Sequence, residues 1–290
     1  MRLVHLSDLH FGAVDPVLPP ALREAVLKAS PELLVVSGDL TQRGRRHEFM
    51  QARAFLDSIP LQQLVVPGNH DVPRWWSVWN RFRRPWRHFR KLVHEDLEPV
   101  WDKPGLFVIG TNSARIAGWH LDWSRGRLSH HQMARMVALG QEADANALRV
   151  LVVHHPPAAP PHGTRRHLIG RQREFSQSVN LAGIDLVLAG HFHISYARTL
   201  PLSGGHAARS CVLSAVSTAT SHRLKGEPNG FHVIDGDARR MQVCAWTWNG
   251  NAFEPGRTWD FAREATGRDW QEAESQGAGA SGFAGNGAVF

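Results

Sequence analysis

An α/β fold is predicted by two patterns in the sequence. From the start of the chain, short apolar runs alternate with segments of helical spacing, and three runs with two helices between them form a βαβαβ series. That series marks a mostly parallel sheet. After about residue 195 the helical signal stops and β-like runs follow one another, which predicts a second sheet of antiparallel character. A third pattern ties fold to chemistry. Asp, Asn and His residues recur just beyond the apolar runs, at the strand ends where open α/β sheets collect ligands.

Residues 2–7 read as a buried strand. Pro19 and Pro20 open a helix reaching about Ala29, with Leu22, Ala25 and Val26 on one face. Leu33 to Val36 is a second strand, ending at Gly38-Asp39. Phe49, Ala52, Phe55, Leu56 and Ile59 recur at helical spacing in a segment from about Arg45 to Asp57. Leu64 to Val66 is a third strand, followed by Gly68-Asn69-His70-Asp71. Residues 74–104 interrupt the alternation as a Trp/Arg-rich insert or lid. Leu106 to Gly110 resumes as a strand. Ser129 and Gln132 form a capping box for a helix to about Glu142. Arg149 to Val153 leads into His154-His155-Pro156, and a helix spans about 172–182. Leu186 to Leu188 leads into Gly190-His191-Phe192-His193. Further β-like runs cover about 195–200, 210–215, 230–235 and 240–248. A unit spanning 1–262 is expected, with 263–290 a largely disordered tail. Gly, Ala and Ser dominate 276–289 without periodicity.

Composition narrows the class. The 290 residues are 42% apolar and 20% charged, which supports a buried core and excludes global disorder. The net charge of +7 suits a polyanionic partner, although many soluble enzymes are basic. The two cysteines, Cys211 and Cys244, lie in strand-like runs, and a disulfide between them is unforced. That usage fits a reducing cytoplasm. Arg2 and Asp8 interrupt the N-terminus too early for a secretion signal. No apolar stretch is long enough for a transmembrane helix. The expected location is cytoplasmic, or peripheral to the inner membrane face.

Asp8 and His10 are two apart, so on extended chain they lie on one side, and His191 and His193 repeat that spacing. With Asp39, Asn69 and His154 they make seven O and N donors, enough for two adjacent divalent cations. Asp39 lies between the groups after strands one and three and is the natural bridge. Asp8, His10 and His193 complete one site. Asn69, His154 and His191 complete the other. The absence of thiolate and the excess of imidazole favour Mn²⁺ or Fe²⁺, with Zn²⁺ also suited, over Mg²⁺ alone.

These blocks resemble, in order, those of the calcineurin-like metallophosphoesterases: Asp8-x-His10, Gly38-Asp39, Gly68-Asn69-His70-Asp71, His154-x-Pro156 and Gly190-His191-x-His193. The resemblance covers about residues 1–250. The texture of Leu6-Ser-Asp8-Leu-His10-Phe11, Ser37-Gly-Asp39-Leu-Thr41 and His154-His155-Pro-Pro is nearest to class III cyclic nucleotide phosphodiesterases and bacterial glycerophosphodiesterases. It implies a four-layer αββα sandwich and assigns metal ligation to His154 rather than His155. It also implies attack on phosphorus, in line, by a hydroxide bridging two metals. His70 would position the phosphate or protonate the leaving oxygen, and Asp71 would orient its ring. The expected activity is hydrolysis of small phosphodiesters, cyclic nucleotides first. Nuclease or phospholipid-type activity is the rival, and a non-catalytic scaffold is disfavoured because every ligand is present. A homodimer is an expectation from the family alone.

In the loop after the fifth strand, His155, His162, Arg165 and Arg166 are candidates to touch the substrate, and Asn112 is a further rim candidate. In the insert, Trp75, Trp79, Phe82, Trp86 and Phe89 fall on one helical stripe, kinked at Pro85 and interleaved with Arg. Three roles fit residues 74–91: a cap helix packed on the core or on a second subunit, a substrate lid, or a helix docking on anionic membrane. Single-stranded nucleic acid would use the same stacking and charge.

Overall fold

In the computed structural model, residues 1–73, 78–116, 124–161, 167–204, 208–264, 267 and 269–273 are described. The first half-fold is β1 (Arg2–Leu6), α1 (Leu18–Ala29), β2 (Leu33–Val36), α2 (Arg46–Asp57) and β3 (Gln63–Val65). β1, β2 and β3 pair in parallel. The alternation within β1 sets its two faces. Val4 and Leu6 meet Leu22 and Val26 of α1 and Phe49 and Leu56 of α2, whereas Leu3 faces the other way. Burial of both faces explains why these strands read as unbroken apolar runs.

The second half-fold begins at the end of the insert, whose last residues form its edge strand. Its elements are β4 (Val100–Lys103), β5 (Leu106–Gly110), α5 (His130–Glu142), β6 (Leu148–Val152), α6 (Gln172–Leu181) and β7 (Leu186–Ala189). β5, β6 and β7 are parallel. Ser129 and Gln132 close the capping box at the start of α5 through bonds of 3.1 and 2.8 Å. Met133 and Met136 of α5 and Phe175 and Val179 of α6 pack on the outer face of this sheet.

The late strands correct one expectation. β8 (Tyr196–Pro201), β9 (Ser210–Ala215), β10 (Gly230–Gly236), β11 (Arg240–Trp248), β12 (Phe253–Arg263) and β13 (Trp270–Glu272) form no sheet of their own. β9 joins β7 in parallel and carries β8 on its edge, while β10 joins β1 antiparallel and β11 to β13 follow outward. The result is two mixed sheets, ordered β13-β12-β11-β10-β1-β2-β3 and β4-β5-β6-β7-β9-β8. Leu3, Leu33 and Leu64 meet Val108, Val150 and Leu186 between them. Helices cover both outer faces, giving four αββα layers. The unit also runs past residue 262. Trp270 is only 2% exposed and closes the inter-sheet core, so the described residues 263, 264, 267 and 269–273 are not tail; residues 274–290 lie outside the described residues.

Among its described residues the insert carries two short helices, α3 (Val78–Arg83) and α4 (Arg87–Leu92), rather than one kinked helix, and it ends in β4. Its stripe divides. Phe89 is fully buried edge-on against Phe49 of α2, and Trp86 packs on the same core. Trp79 and Phe82 remain 67% and 59% exposed. Trp75 and Trp76 lie outside the described residues. No described helix is long and apolar enough to cross a membrane.

Candidate metal centre

The C-terminal ends of β1, β2, β3, β6 and β7 meet along one rim, and their loops are tied to each other by main-chain bonds. Asp8 N donates to Gly38 O (3.0 Å), His10 N to Asp39 O (2.9 Å) and Gly190 N to His154 O (3.0 Å). The turns are tight enough to strain the backbone. Asp8, His10, Asp39, His191 and His193 all have φ between 51° and 75°, five of the eight non-glycine residues with positive φ among the described residues. Such conformations cost free energy and persist where surrounding contacts impose them. Glycine is required where loops touch. A Cβ on Gly68 would fall 2.2 Å from Asp39 Oδ1, and one on Gly190 would fall 1.8 Å from Ser7 Oγ.

Each carboxylate divides its labour. Asp8 Oδ2 accepts from His191 N (2.9 Å) and Asp39 Oδ1 from His70 N (2.8 Å). The other oxygens face inward. Asp8 Oδ1 lies 3.5 Å from His10 Nε2 and 3.1 Å from His193 Nε2, and Asp39 Oδ2 lies 3.8 Å from His10 Nε2 and 3.3 Å from His154 Nε2. On the far side, His154 Nε2 is 3.1 Å from Asn69 Oδ1 and 3.3 Å from His191 Nδ1. The seven candidate donors therefore converge in two groups, Asp8-His10-His193 and Asn69-His154-His191, with Asp39 reaching both.

Three imidazoles have their tautomer set from behind. Nδ1 of His10, His154 and His193 meets the carbonyls of Thr41 (3.4 Å), Ser37 (2.9 Å) and Arg223 (2.8 Å). A carbonyl only accepts, so each Nδ1 carries hydrogen, and in the neutral ring Nε2 presents a lone pair. As neutral rings, His10 and His193 confront each other Nε2 to Nε2 at 3.1 Å with no hydrogen of their own between them. Asp8 Oδ1 is buried and, with those rings neutral, has no hydrogen-bond donor facing it among the described residues. Converging lone pairs and an orphaned carboxylate oxygen need a cation or an extra proton, and the all O/N donor set suits a divalent metal.

The electrostatics agree. Burial alone would raise Asp8 and Asp39, but His193 and His10 around Asp8, and His154 and His70 around Asp39, outweigh it and hold both carboxyls well below the usual range. Burial opposes charge on His154, yet Asp39 pushes it up to about 9; His193 is raised in the same way by Asp8. His191, desolvated and beside His154, falls to about 3. The carboxylates thus hold positive charge between the imidazoles as protons, and a divalent cation would displace them.

The residues expected to surround the metals fare unevenly. His70 lines the cavity, with Nδ1 donating to Gln42 O at 2.8 Å, and burial is the main cause holding it down to about 4. Asp71 does not orient that ring. Its carboxylate accepts from Leu40 N, Thr41 N, Thr41 Oγ1 and Gly68 N, because the 3₁₀ turn Asn69–Asp71 aims it back beneath the loops. His155 lies just behind the rim, near enough to His154 and His191 to group with them as possible metal donors. It is fully buried, with Nδ1 2.9 Å from Ser113 Oγ and Nε2 2.9 Å from Ser124 O, so both nitrogens are occupied although the ring packs 4.6 Å from that of His191. Asn112 turns inward too, its Oδ1 accepting from Ala114 N. Arg165, Arg166 and His162 lie outside the described residues. A cavity of about 620 Å³ opens over the cluster, lined by Asp39, Asn69, His70, His191, Arg223 and Lys225. The last two were not anticipated, since their loop between β9 and β10 carries no motif. A larger groove, about 960 Å³, lies at the opposite strand ends around Asn146, Asp237 and Arg263, away from the metal-type donors.

Known proteins are similar to this chain in sequence. The chain is 29% identical to a probable cyclic nucleotide phosphodiesterase of Rhodococcus erythropolis, covering 81% of this chain and 76% of that one. It is 26% identical to a probable cyclic nucleotide phosphodiesterase of Synechococcus (68% and 74% covered) and 26% identical to a probable glycerophosphodiester phosphodiesterase of Arcobacter nitrofigilis (67% and 72%). Its fold is similar to that of a purple acid phosphatase from yellow lupin, with TM-score 0.64, 12% identity and 92% of this chain covered. The chain spans 54% of that lupin enzyme's length. The profile of the calcineurin-like phosphoesterases matches residues 1–195, about two thirds of the sequence, and the chain belongs to that family.

Proposed function

We propose that the protein hydrolyses small phosphodiesters, with cyclic nucleotides the first candidates. The observation carrying this reading is the convergence of Asp8, His10, His193, Asn69, His154 and His191 around Asp39 at one rim. Those residues would hold two divalent cations, Mn²⁺ or Fe²⁺ by donor type. When bound, the pair supplies an activated water and neutralises charge on the phosphoryl group. The chain's own contribution is placement. The carbonyls of Thr41, Ser37 and Arg223 fix three imidazoles in direction and tautomer, and the loops bury Asp8, His10, Asp39, His154 and His193 while leaving Asn69 and His191 at the cavity. His70 reaches the cavity neutral, with its hydrogen on Nδ1, so Nε2 faces the substrate as an acceptor. Phe192, Ile194 and Pro160 add an apolar wall that suits a base or sugar. The relatives named as probable cyclic nucleotide and glycerophosphodiester phosphodiesterases support the diester class.

Mn²⁺-loaded protein assayed on bis(p-nitrophenyl) phosphate and on p-nitrophenyl phosphate tests this. Turnover of the diester is expected; turnover of the monoester alone would refute it. A second reading, a phosphodiesterase working at a lipid surface, is favoured by the exposure of Trp79 and Phe82 beside Arg83, whose guanidinium lies 3.9 Å from the Trp79 ring centroid.

A further inference from the structure

The cavity holds two cationic side chains that the metal assignment leaves unused. Arg223 is half-buried, and its Nη1 lies 3.3 Å from Gln42 Oε1 and 3.3 Å from His70 Nε2. The His70 hydrogen is committed to Gln42 O, so the guanidinium donates to Nε2. Both contacts are neutral acceptors, which satisfy a guanidinium less well than an anion. Among the described residues no carboxylate lies within ion-pair distance of Arg223 or Lys225, and the nearby Glu227 carboxylate accepts from Ser195 N at 2.6 Å. The main chain of Arg223 is fixed on both sides. Its carbonyl accepts from His193 Nδ1 at 2.8 Å and its N–H donates to Ser221 Oγ at 3.1 Å. The loop that aims a candidate metal ligand therefore also sets the guanidinium at a fixed place beside the cluster. The cavity, about 620 Å³, has room for much more than one phosphoryl group.

We propose that Arg223 and Lys225 form an anion subsite next to the cation pair, and that it takes a second phosphate carried on one arm of the substrate. Among linear phosphodiesters, those with an additional terminal phosphate are then preferred over those with uncharged arms. This rests on the phosphodiesterase reading above. A planar guanidinium matches two phosphate oxygens at once, and Lys225 at the mouth adds charge without fixed geometry. On binding, the guanidinium exchanges Gln42 and His70 for the phosphate, which also frees His70 Nε2.

The test compares thymidine 5′-(p-nitrophenyl phosphate) with its 3′-phosphorylated counterpart, using Mn²⁺-loaded wild type and the double variant Arg223→Gln/Lys225→Gln. Wild type is expected to favour the 3′-phosphorylated diester in kcat/KM by about tenfold or more, the scale of one charge-assisted contact, and the ratio falls near unity in the variant. Calorimetric binding of thymidine 3′,5′-bisphosphate against thymidine 5′-monophosphate gives a readout independent of turnover, with the same preference expected and lost. If neither diester turns over but the bisphosphate preference appears and needs both cations, the subsite stands and the phosphodiesterase reading falls. If wild type shows no preference, or the variant slows both diesters alike, the subsite is refuted. Equal slowing would place Arg223 at the scissile group or as a support for His70.

Discussion

Substituting Gly68 by alanine perturbs the centre without replacing a ligand. Its φ of −107° is open to any residue, so conformation does not forbid the change. Space does. The new Cβ would lie 2.2 Å from Asp39 Oδ1 and 2.3 Å from Asp39 N, more than 1 Å inside the 3.4 Å at which ordinary contact begins. Neither atom yields cheaply: Oδ1 is held by His70 N, and Asp39 already sits at φ 53°. Crowding of this kind costs about 1–3 kcal/mol, and the chain-entropy gain of replacing glycine returns only about 0.4–1 kcal/mol. Stability should fall by about 1–2 kcal/mol, a few degrees in Tm for a chain this long. The larger effect is on function, because moving the shared carboxylate by about 1 Å should cost on the order of 10²-fold in turnover. Mn²⁺ calorimetry and hydrolysis of bis(p-nitrophenyl) phosphate read both effects. Gly256→Ala is the control, since its Cβ would meet nothing closer than 3.5 Å. A Gly68→Ala protein that binds Mn²⁺ and turns over like the control would refute the reasoning.

Other consequences can be checked directly. Asp39→Ala removes the one carboxylate that reaches both donor groups, so calorimetry should show loss of paired cation binding along with loss of turnover. His70→Ala should lower kcat by about 10²–10⁴-fold while elemental analysis still finds both cations. His232 is buried between Ser214 Oγ (2.8 Å) and Ser195 Oγ (2.7 Å), and burial holds it down to about 3. The unfolded chain takes up that proton near pH 6.5 and the folded one does not, so stability present above pH 6.5 is lost as the pH falls toward 3. The loss is about 2 kcal/mol at pH 5, and urea unfolding of His232→Gln should show a shallower acid slope than wild type. If the exposed aromatics of α3 meet membrane, the Trp79→Ala/Phe82→Ala variant should lose co-sedimentation with phosphatidylserine vesicles; binding unchanged by the substitution would remove that role.

Much of the centre was legible because its chemistry dictates residue type and position together. Asp8, His10, Asp39, Asn69, His154, His191 and His193 each stand just past an apolar run, and a parallel sheet has one edge on which such ends gather. The helices were legible from their spacing and, for α5, from its cap. Partners were not. Alternation along β8 to β11 sets which face is buried but not which strand lies alongside, so the split of these strands between two sheets had no local signal. Asp71 follows His70 in sequence, yet a single 3₁₀ turn sends its carboxylate to Thr41 and Gly68 instead. Arg223 and Lys225 enter from a loop whose sequence, His222-Arg-Leu-Lys-Gly-Glu-Pro228, reads as an ordinary polar turn. His155 illustrates the reverse: a histidine beside a ligand in sequence proves to be a packed, doubly hydrogen-bonded support.

Anomalous diffraction from crystals grown with Mn²⁺ tests the central claim most directly. The account predicts two peaks, about 3.5–4 Å apart, with Asp39 Oδ2 between them, Asp8, His10 and His193 on one, and Asn69, His154 and His191 on the other. A single peak away from Asp39, or none at saturating Mn²⁺, would contradict it.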